Sequence, residues 1–146
     1  NKKCGQLFTS HIKIRKIHKT YLAVVKGEIS KNLKKMEDFL EYHERNKKIR
    51  LKATTFLKVL KTNSKYTLLE LNPLTGRKHQ LRKQLFMRGF PIIGDQKYYL
   101  NKNKKNKDQF MLLHSYKIKF MKNDVKFIYR AQLDKDFKKK IELYLS

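Results

Sequence analysis

Residues Leu71–Tyr99 read LNPLTGRKHQLRKQLFMRGFPIIGDQKYY, and the fold turns on how this stretch is divided. NPLTGR holds Pro73 and Gly76, turn formers that end a preceding strand. KHQLRKQLFMRG sets Leu81 and Leu85 four residues apart, on one helical face. Gly89 suits the left-handed residue that closes a helix, and Pro91 bars its continuation. In IIGDQKY a second turn follows, with Asp95 expected to pin it beside Gly94. Arg77 is placed just inside the helix start, where the helix dipole disfavours a cation. That position asks which acidic group the arginine faces.

Outward from this stretch, KYTLLELN and LKATTFLKVLKT are strands joined through Asn63–Lys65, a hairpin. KTYLAVVKG, Lys19–Gly27, is a β-branched and aromatic run closed by glycine, a buried strand. In Asn32–Lys48, Leu33, Met36, Leu40 and His43 recur at helical spacing in a polar background, which predicts a surface helix or a loop with a helical turn. Asn101–Gln109 is a polar cationic loop, expected to be mobile. MLLHSYKIKF and VKFIYRAQL flank a turn at MKND. In Asp134–Leu145, Phe137, Ile141 and Leu145 repeat every four residues behind an acidic start, an amphipathic helix. Strands, helix, strands, helix: the order predicts an α+β fold, a mixed, mainly antiparallel sheet with flanking helices. Residues 1–146 read as a single domain.

Lysine and arginine number 37 against 12 acids, a net charge of +25. Such a field draws polyanions, and a nucleic-acid partner held through phosphates accounts for it. Lys, Asn, Ile, Tyr and Phe are all frequent, so AT-rich coding contributes too, and charge alone does not separate an RNA enzyme from a ribosomal protein. The one cysteine, Cys4, excludes an intrachain disulfide and favours a reducing compartment. No apolar run approaches the ~20 residues of a membrane span, and no signal peptide is visible. The sequence begins with Asn1 rather than methionine, as expected of a piece of a longer protein.

No Walker loop or GxGxxG phosphate cradle is present. His11, His18, His43, His79 and His114 lack metal-ligand spacing, and a single cysteine builds no Cys-rich zinc site. No nucleophile elbow occurs. A metal or nucleotide cofactor is therefore not expected.

LELNPLTGRKHQLRKQLFMRGFPIIGDQKY resembles the most diagnostic region of the RluA-type pseudouridine synthases (the RluA, RluC and RluD group), whose pattern is E-x-x-P-x-T-G-R-x-H-Q-[IL]-R followed by G-x-P-I-x-G-D-x-x-Y. KTYLAVVKGEI is similar to their K-x-Y-x-A-x-V-x-G strand, KATTFLKVL to A-x-T-x-[FY], LLHSYKIKF to L-H-[AS]-x-x-[IL]-x-F, and AQLDKDFKKKI to the start of their C-terminal helix. The five matches fall in the family's order over roughly Phe8 to Leu145, and GRKHQLR and HKTYLAVV most resemble the ribosomal large-subunit enzymes.

The resemblance implies the pseudouridine synthase catalytic fold and isomerisation of uridine to pseudouridine in RNA, ribosomal large-subunit RNA first, without a cofactor. It implies a cytoplasmic monomer, with the mitochondrial matrix as the alternative location. The family's nucleophilic aspartate is carried in H-R-L-D-x-x-T-S-G, before the K-x-Y strand. That motif is not in this chain, which therefore corresponds to the C-terminal majority of the catalytic domain and is expected to be inactive alone. Arg77 matches the arginine that pairs with the aspartate; a guanidinium fork orients a carboxylate and keeps it ionised. An exposed phosphate contact is the plainer role for it. Tyr21 matches the tyrosine that stacks on the flipped base, against the alternative of an ordinary core tyrosine. Lys19, Lys78, His79, Arg82 and Lys83 are candidate RNA contacts, with His79 and Gln80 bracing the turn. Asp134, in a QLDKD that imitates the aspartate motif, is expected to be a helix-start acid, and His114 a satisfied core histidine. A non-catalytic RNA-binding module that keeps the fold and a basic ribosome-associated protein are the alternatives.

Overall fold

The computed structural model describes residues 14–99 and 110–146, with side chains from Ile17 onward. Cys4, His11 and the loop at Asn101–Gln109 lie outside the described residues. In chain order the elements are β1 (Ile14–Lys26), β2 (Lys35–Glu44), β3 (Lys47–Thr62), β4 (Tyr66–Pro73), α1 (Gln80–Met87), β5 (Leu113–Lys122), β6 (Val125–Arg130) and α2 (Lys135–Leu145). The strands form one sheet in the order β2-β3-β4-β1-β5-β6. Every strand pairing among the described residues is antiparallel.

β1 lies inside the sheet and is covered on both faces, which is why YLAVV is an unbroken apolar run. Ala23 and Val25 face one core with Leu57, Leu69, Leu71, Leu81 and Leu85. Leu22 and Val24 face the other, with Leu112 and Phe137 of α2. So α1 and α2 cover opposite faces of the sheet. Phe137 and Leu145 are buried as their spacing predicts, and Asp134 caps α2 by accepting from the Asp136 N–H at 3.1 Å. It is a helix-start acid, as expected.

The helical expectation for Asn32–Lys48 is overturned. This segment is β2, a two-residue turn and the start of β3, paired from Lys35↔Phe56 to Glu44↔Lys47. In a strand, residues 36, 38, 40 and 42 share a face. Met36 and Leu40 are buried there, and Phe39 points outward, 58% exposed. A polar residue, Asp38, sits between the two apolar ones, which broke the apparent alternation and left the 33/36/40 helical spacing as the visible pattern. Asp38 belongs inside because Arg88 Nη1 at 2.7 Å and Gln84 Nε2 at 2.9 Å both donate to it. The turn was equally hard to see: Arg45 (φ 49°) and Asn46 (φ 62°) are both left-handed, as a tight hairpin requires, without the usual Asn-Gly signal.

α1 also begins later than expected. His79 is left-handed (φ 54°, ψ 28°) and precedes the first helical residue, Gln80. Arg77 therefore stands outside the helix, in the turn, not within its first residues. The far end closes as the sequence predicts. Gly89, at φ 84°, donates to Phe86 O at 2.9 Å, and Phe90 N to Leu85 O at 2.9 Å, the paired bonds of a Schellman motif. Pro91 O then accepts from Lys26 N at 2.9 Å, returning the chain to β1.

A candidate active-site cleft

Where the N-terminal part of β1, the end of β4 and the start of α1 meet, they enclose a cleft of about 470 Å³. Ile17, Lys19 and Tyr21 enter it from β1, Leu74 to Arg77 and His79 from the turn, Gln80 to Arg82 from α1, and Leu113 from β5. Ile17, Lys19 and Tyr21 share it because alternate residues of a strand share a face. The β1–β5 register shifts between Thr20 and Tyr21, where Tyr21 pairs with Ser115 while Thr20 pairs with Lys117. An irregularity of this kind re-aims a side chain locally, and it lies directly at Tyr21. The ring is half-buried against the core cluster of β1 and α1.

The turn that carries Arg77 is held by Gln80, which is 4% exposed. Its Oε1 accepts from Thr75 Oγ1 at 2.6 Å and from Arg77 N at 3.1 Å. Its Nε2 donates to Thr54 O at 3.2 Å and Thr55 Oγ1 at 2.9 Å. Thr54 N in turn donates to Thr75 Oγ1 at 3.0 Å. A single amide thus ties the turn to β3 through both of its ends, the bracing role expected for it. Arg77 Nε donates to Lys52 O at 3.0 Å, which fixes the plane of the guanidinium. Among the described residues no ion pair joins Arg77 to a carboxylate, and none of those lining the cleft is an acid.

The remaining candidates separate. Lys19, His79 and Arg82 line the cleft with Arg77 and Tyr21; Lys78 and Lys83 do not. His79 Nδ1 and Tyr98 Oη share a hydrogen bond of 3.1 Å. Burial, then the nearby Arg82, Lys97, Lys78 and Lys83, lowers the pKa of His79, so the ring is mainly neutral at pH 7. Arg82 gives two parallel bonds to Asp95, Nε to Oδ2 at 2.7 Å and Nη2 to Oδ1 at 2.8 Å. The Asp95 side chain is fully buried and also accepts from the Lys97 and Tyr98 N–H groups, each at 3.0 Å. Burial acts to raise the Asp95 pKa, but the Arg82 and backbone hydrogen bonds outweigh it and hold the carboxyl below its ordinary value. Asp95 therefore pins its turn as expected, and the Arg82 fork is engaged internally. Lys83 Nζ donates to Glu41 O at 3.2 Å and lies 3.8 Å from the Tyr42 ring centroid. Lys78 is exposed, its carbonyl accepting from Tyr42 Oη at 2.6 Å.

His114 is a correction. Its ring packs 5.7 Å from that of Phe137, but the buried Nε2 has no hydrogen-bond partner among the described residues, so these do not satisfy it as expected. Sequence reasoning also missed Gln84, fully buried. Its Oε1 accepts from Thr55 Oγ1 at 2.6 Å, and its Nε2 faces Met36 O, Asp38 Oδ2 and Ala53 O. The signal was present: Gln80 and Gln84 are four apart on the face shared by Leu81 and Leu85, and an amide on the buried face of a helix needs partners. Among the described residues no cluster of three or more His, Cys, Asp or Glu side chains is placed to hold a metal ion.

A family model described as RNA pseudouridylate synthase matches residues 1–86. The chain is 33% identical over 120 residues to the ribosomal large subunit pseudouridine synthase D of Borreliella burgdorferi, covering 77% of this chain and 36% of that protein. It is 35% identical over 135 residues to the ribosomal large subunit pseudouridine synthase C of Buchnera aphidicola subsp. Schizaphis graminum, covering 82% and 43%. The chain thus spans less than half the length of these relatives. The solved structure of human RNA pseudouridylate synthase domain containing 1 superposes with a TM-score of 0.71 at 20% identity, over 88% of this chain and 58% of that one, a likeness of fold.

Proposed function

We propose that this chain, which belongs to the RNA pseudouridylate synthase family, forms the arginine and base-binding side of a site that isomerises uridine to pseudouridine in ribosomal large-subunit RNA. In that reaction the C1′–N1 bond breaks, the uracil turns, C5 bonds to C1′, and the C5 proton leaves as N1 regains one. The observation that carries the reading is Arg77. It has a braced backbone, a guanidinium oriented by the Lys52 carbonyl, and a cleft lining that, among the described residues, contains no acid to answer it. A fork held in this way is suited to receive one carboxylate in a fixed orientation. The acid it serves is the nucleophilic aspartate of a longer enzyme, and its motif is not in this chain.

Tyr21 offers its ring as the flat surface on which the extruded uracil stacks. Lys19 lies on the same strand face and meets backbone phosphate, with Lys78 as a second phosphate contact. Taking a base out of its stack costs a few kcal/mol, and phosphate contacts from a chain of net charge +25 offset that cost in a salt-dependent way. The enzyme works as a monomer without metal or nucleotide cofactor. The test is to map pseudouridine in ribosomal RNA from cells with and without the gene. Loss of the modification at one or a few uridines is expected; an unchanged map in large-subunit RNA would refute the assignment.

A further inference from the structure

A second groove, of about 420 Å³, lies between the β2 edge of the sheet and α1. Phe39 and Arg50 form one wall, Lys83, Phe86 and Met87 the other, and Tyr98 one end. Phe39 and Met87 are 58% and 57% exposed, so the groove presents apolar surface to solvent. Two cations belong to the lining: Arg50 is 5.6 Å from the ring centroid of Phe39, and Lys83 is 3.8 Å from that of Tyr42, which lies outside the lining. The acid of the lining, Glu41, is paired with Lys48 at 3.2 Å, which leaves the local field positive. The two clefts share a partition. Tyr98 is hydrogen-bonded to His79 and lies 5.0 Å beneath the Arg82 guanidinium, and both of those residues line the first cleft.

We infer that this groove binds a nucleotide of the single-stranded RNA that flanks the target uridine, its base stacked on Phe39 and its phosphate met by Arg50 and Lys83. The inference rests on the function proposed above. Exposed aromatic faces beside cations are the elements of sequence-tolerant single-strand binding. The position matches as well: a strand whose uridine enters the first cleft passes the His79–Tyr98 partition directly. Holding a neighbouring base outside its stack helps keep the target extruded. A protein segment seated on the same apolar surface is the competing occupant, and the positive field favours the polyanion.

The experiment uses the full-length protein and a single-stranded RNA containing one uridine, intact or with an abasic residue at each flanking position in turn. Affinity is read by fluorescence anisotropy and pseudouridine formation by single-turnover assay. Phe39→Ala is suited to the test because the side chain is largely exposed. With the wild-type protein, one flanking abasic position should weaken binding roughly tenfold, as expected for the loss of one stacked base. Phe39→Ala should weaken binding of the intact RNA by a similar factor and abolish the effect of that abasic position, and the wild-type protein should convert the uridine of the same RNA. Full turnover with no coupling between Phe39 and any flanking base would overturn the groove assignment alone. Coupling without turnover would support the groove and count against the isomerase. Unchanged affinity of Phe39→Ala for the intact RNA would overturn the inference.

Discussion

Asp95 and Arg77 put the same chemistry to two uses. Asp95 is a buried carboxylate with its guanidinium in place, and Arg77 is a guanidinium with no carboxylate beside it among the described residues. Asp95→Asn keeps the shape but removes the charge that Arg82 answers, and breaking a buried pair in this way costs about 3–5 kcal/mol. Urea unfolding should show that loss at pH 7. The native state prefers the ionised carboxyl, because the Asp95 pKa is lowered in the fold. Its contribution is therefore complete above the unfolded value of about 3.9 and is lost as pH falls through the lower folded value. The gap between wild type and Asp95→Asn should close below about pH 4; a gap that persists there would show that charge is not its cause. Asp95 and Gln80 were legible as turn braces because GDQKY and TGRKHQ restrict the possible turns. The internal engagement of Arg82 was not, since nothing local says which of several cations meets the one buried acid.

At the scale of elements, the strands with continuous or alternating apolar runs were legible, and β2 was not. Its inner face alternates Met36, Asp38 and Leu40, and the polar member is explained only by Gln84 on α1 and Arg88 at its end, 46 and 50 residues later in the chain. A local pattern cannot display a long-range partner. Gln84→Met should expose this coupling. It keeps the length but takes the acceptor from the Thr55 hydroxyl and one donor each from Asp38, which keeps Arg88, and from the Met36 and Ala53 carbonyls, a loss of about 2–4 kcal/mol at one or more kcal/mol per buried group. The β2–β3 turn should respond in the opposite direction. Arg45 and Asn46 are both left-handed, so the double substitution Arg45→Asn and Asn46→Gly relieves that strain and should raise stability by about 0.5–1 kcal/mol in the same assay. Gly94 tolerates no such change: at φ 85°, a Cβ there would collide with the Phe110 carbonyl, and Gly94→Ala should lower Tm by several degrees.

For the whole molecule, the charge of +25 was the most visible feature and the least specific. It pointed to a polyanion, whereas the reaction proposed above was suggested only by TGRKHQLR and its companion motifs. The cleft adds what the motifs lacked, namely which cations converge. Lys19, Arg77 and Arg82 share one lining with the neutral His79 ring, while Lys83 lies beyond the partition, beside β2. RNA affinity should fall steeply with salt, each phosphate contact to single strands adding about 0.7 to the slope of log K against log salt. Lys19→Gln should lower that slope by one contact without changing kcat at saturating RNA, as measured by anisotropy and single-turnover assay. The central claim is that Arg77 is the cationic half of a uridine-isomerising site. It is tested most directly by restoring the full-length gene, wild type or Arg77→Lys, to cells that lack it and mapping pseudouridine in their ribosomal RNA. The wild-type gene should restore the missing modification, and Arg77→Lys, folded and still binding RNA, should leave it reduced by roughly a hundredfold or more in rate, because a point charge does not replace the oriented fork. Full restoration by Arg77→Lys would contradict the account.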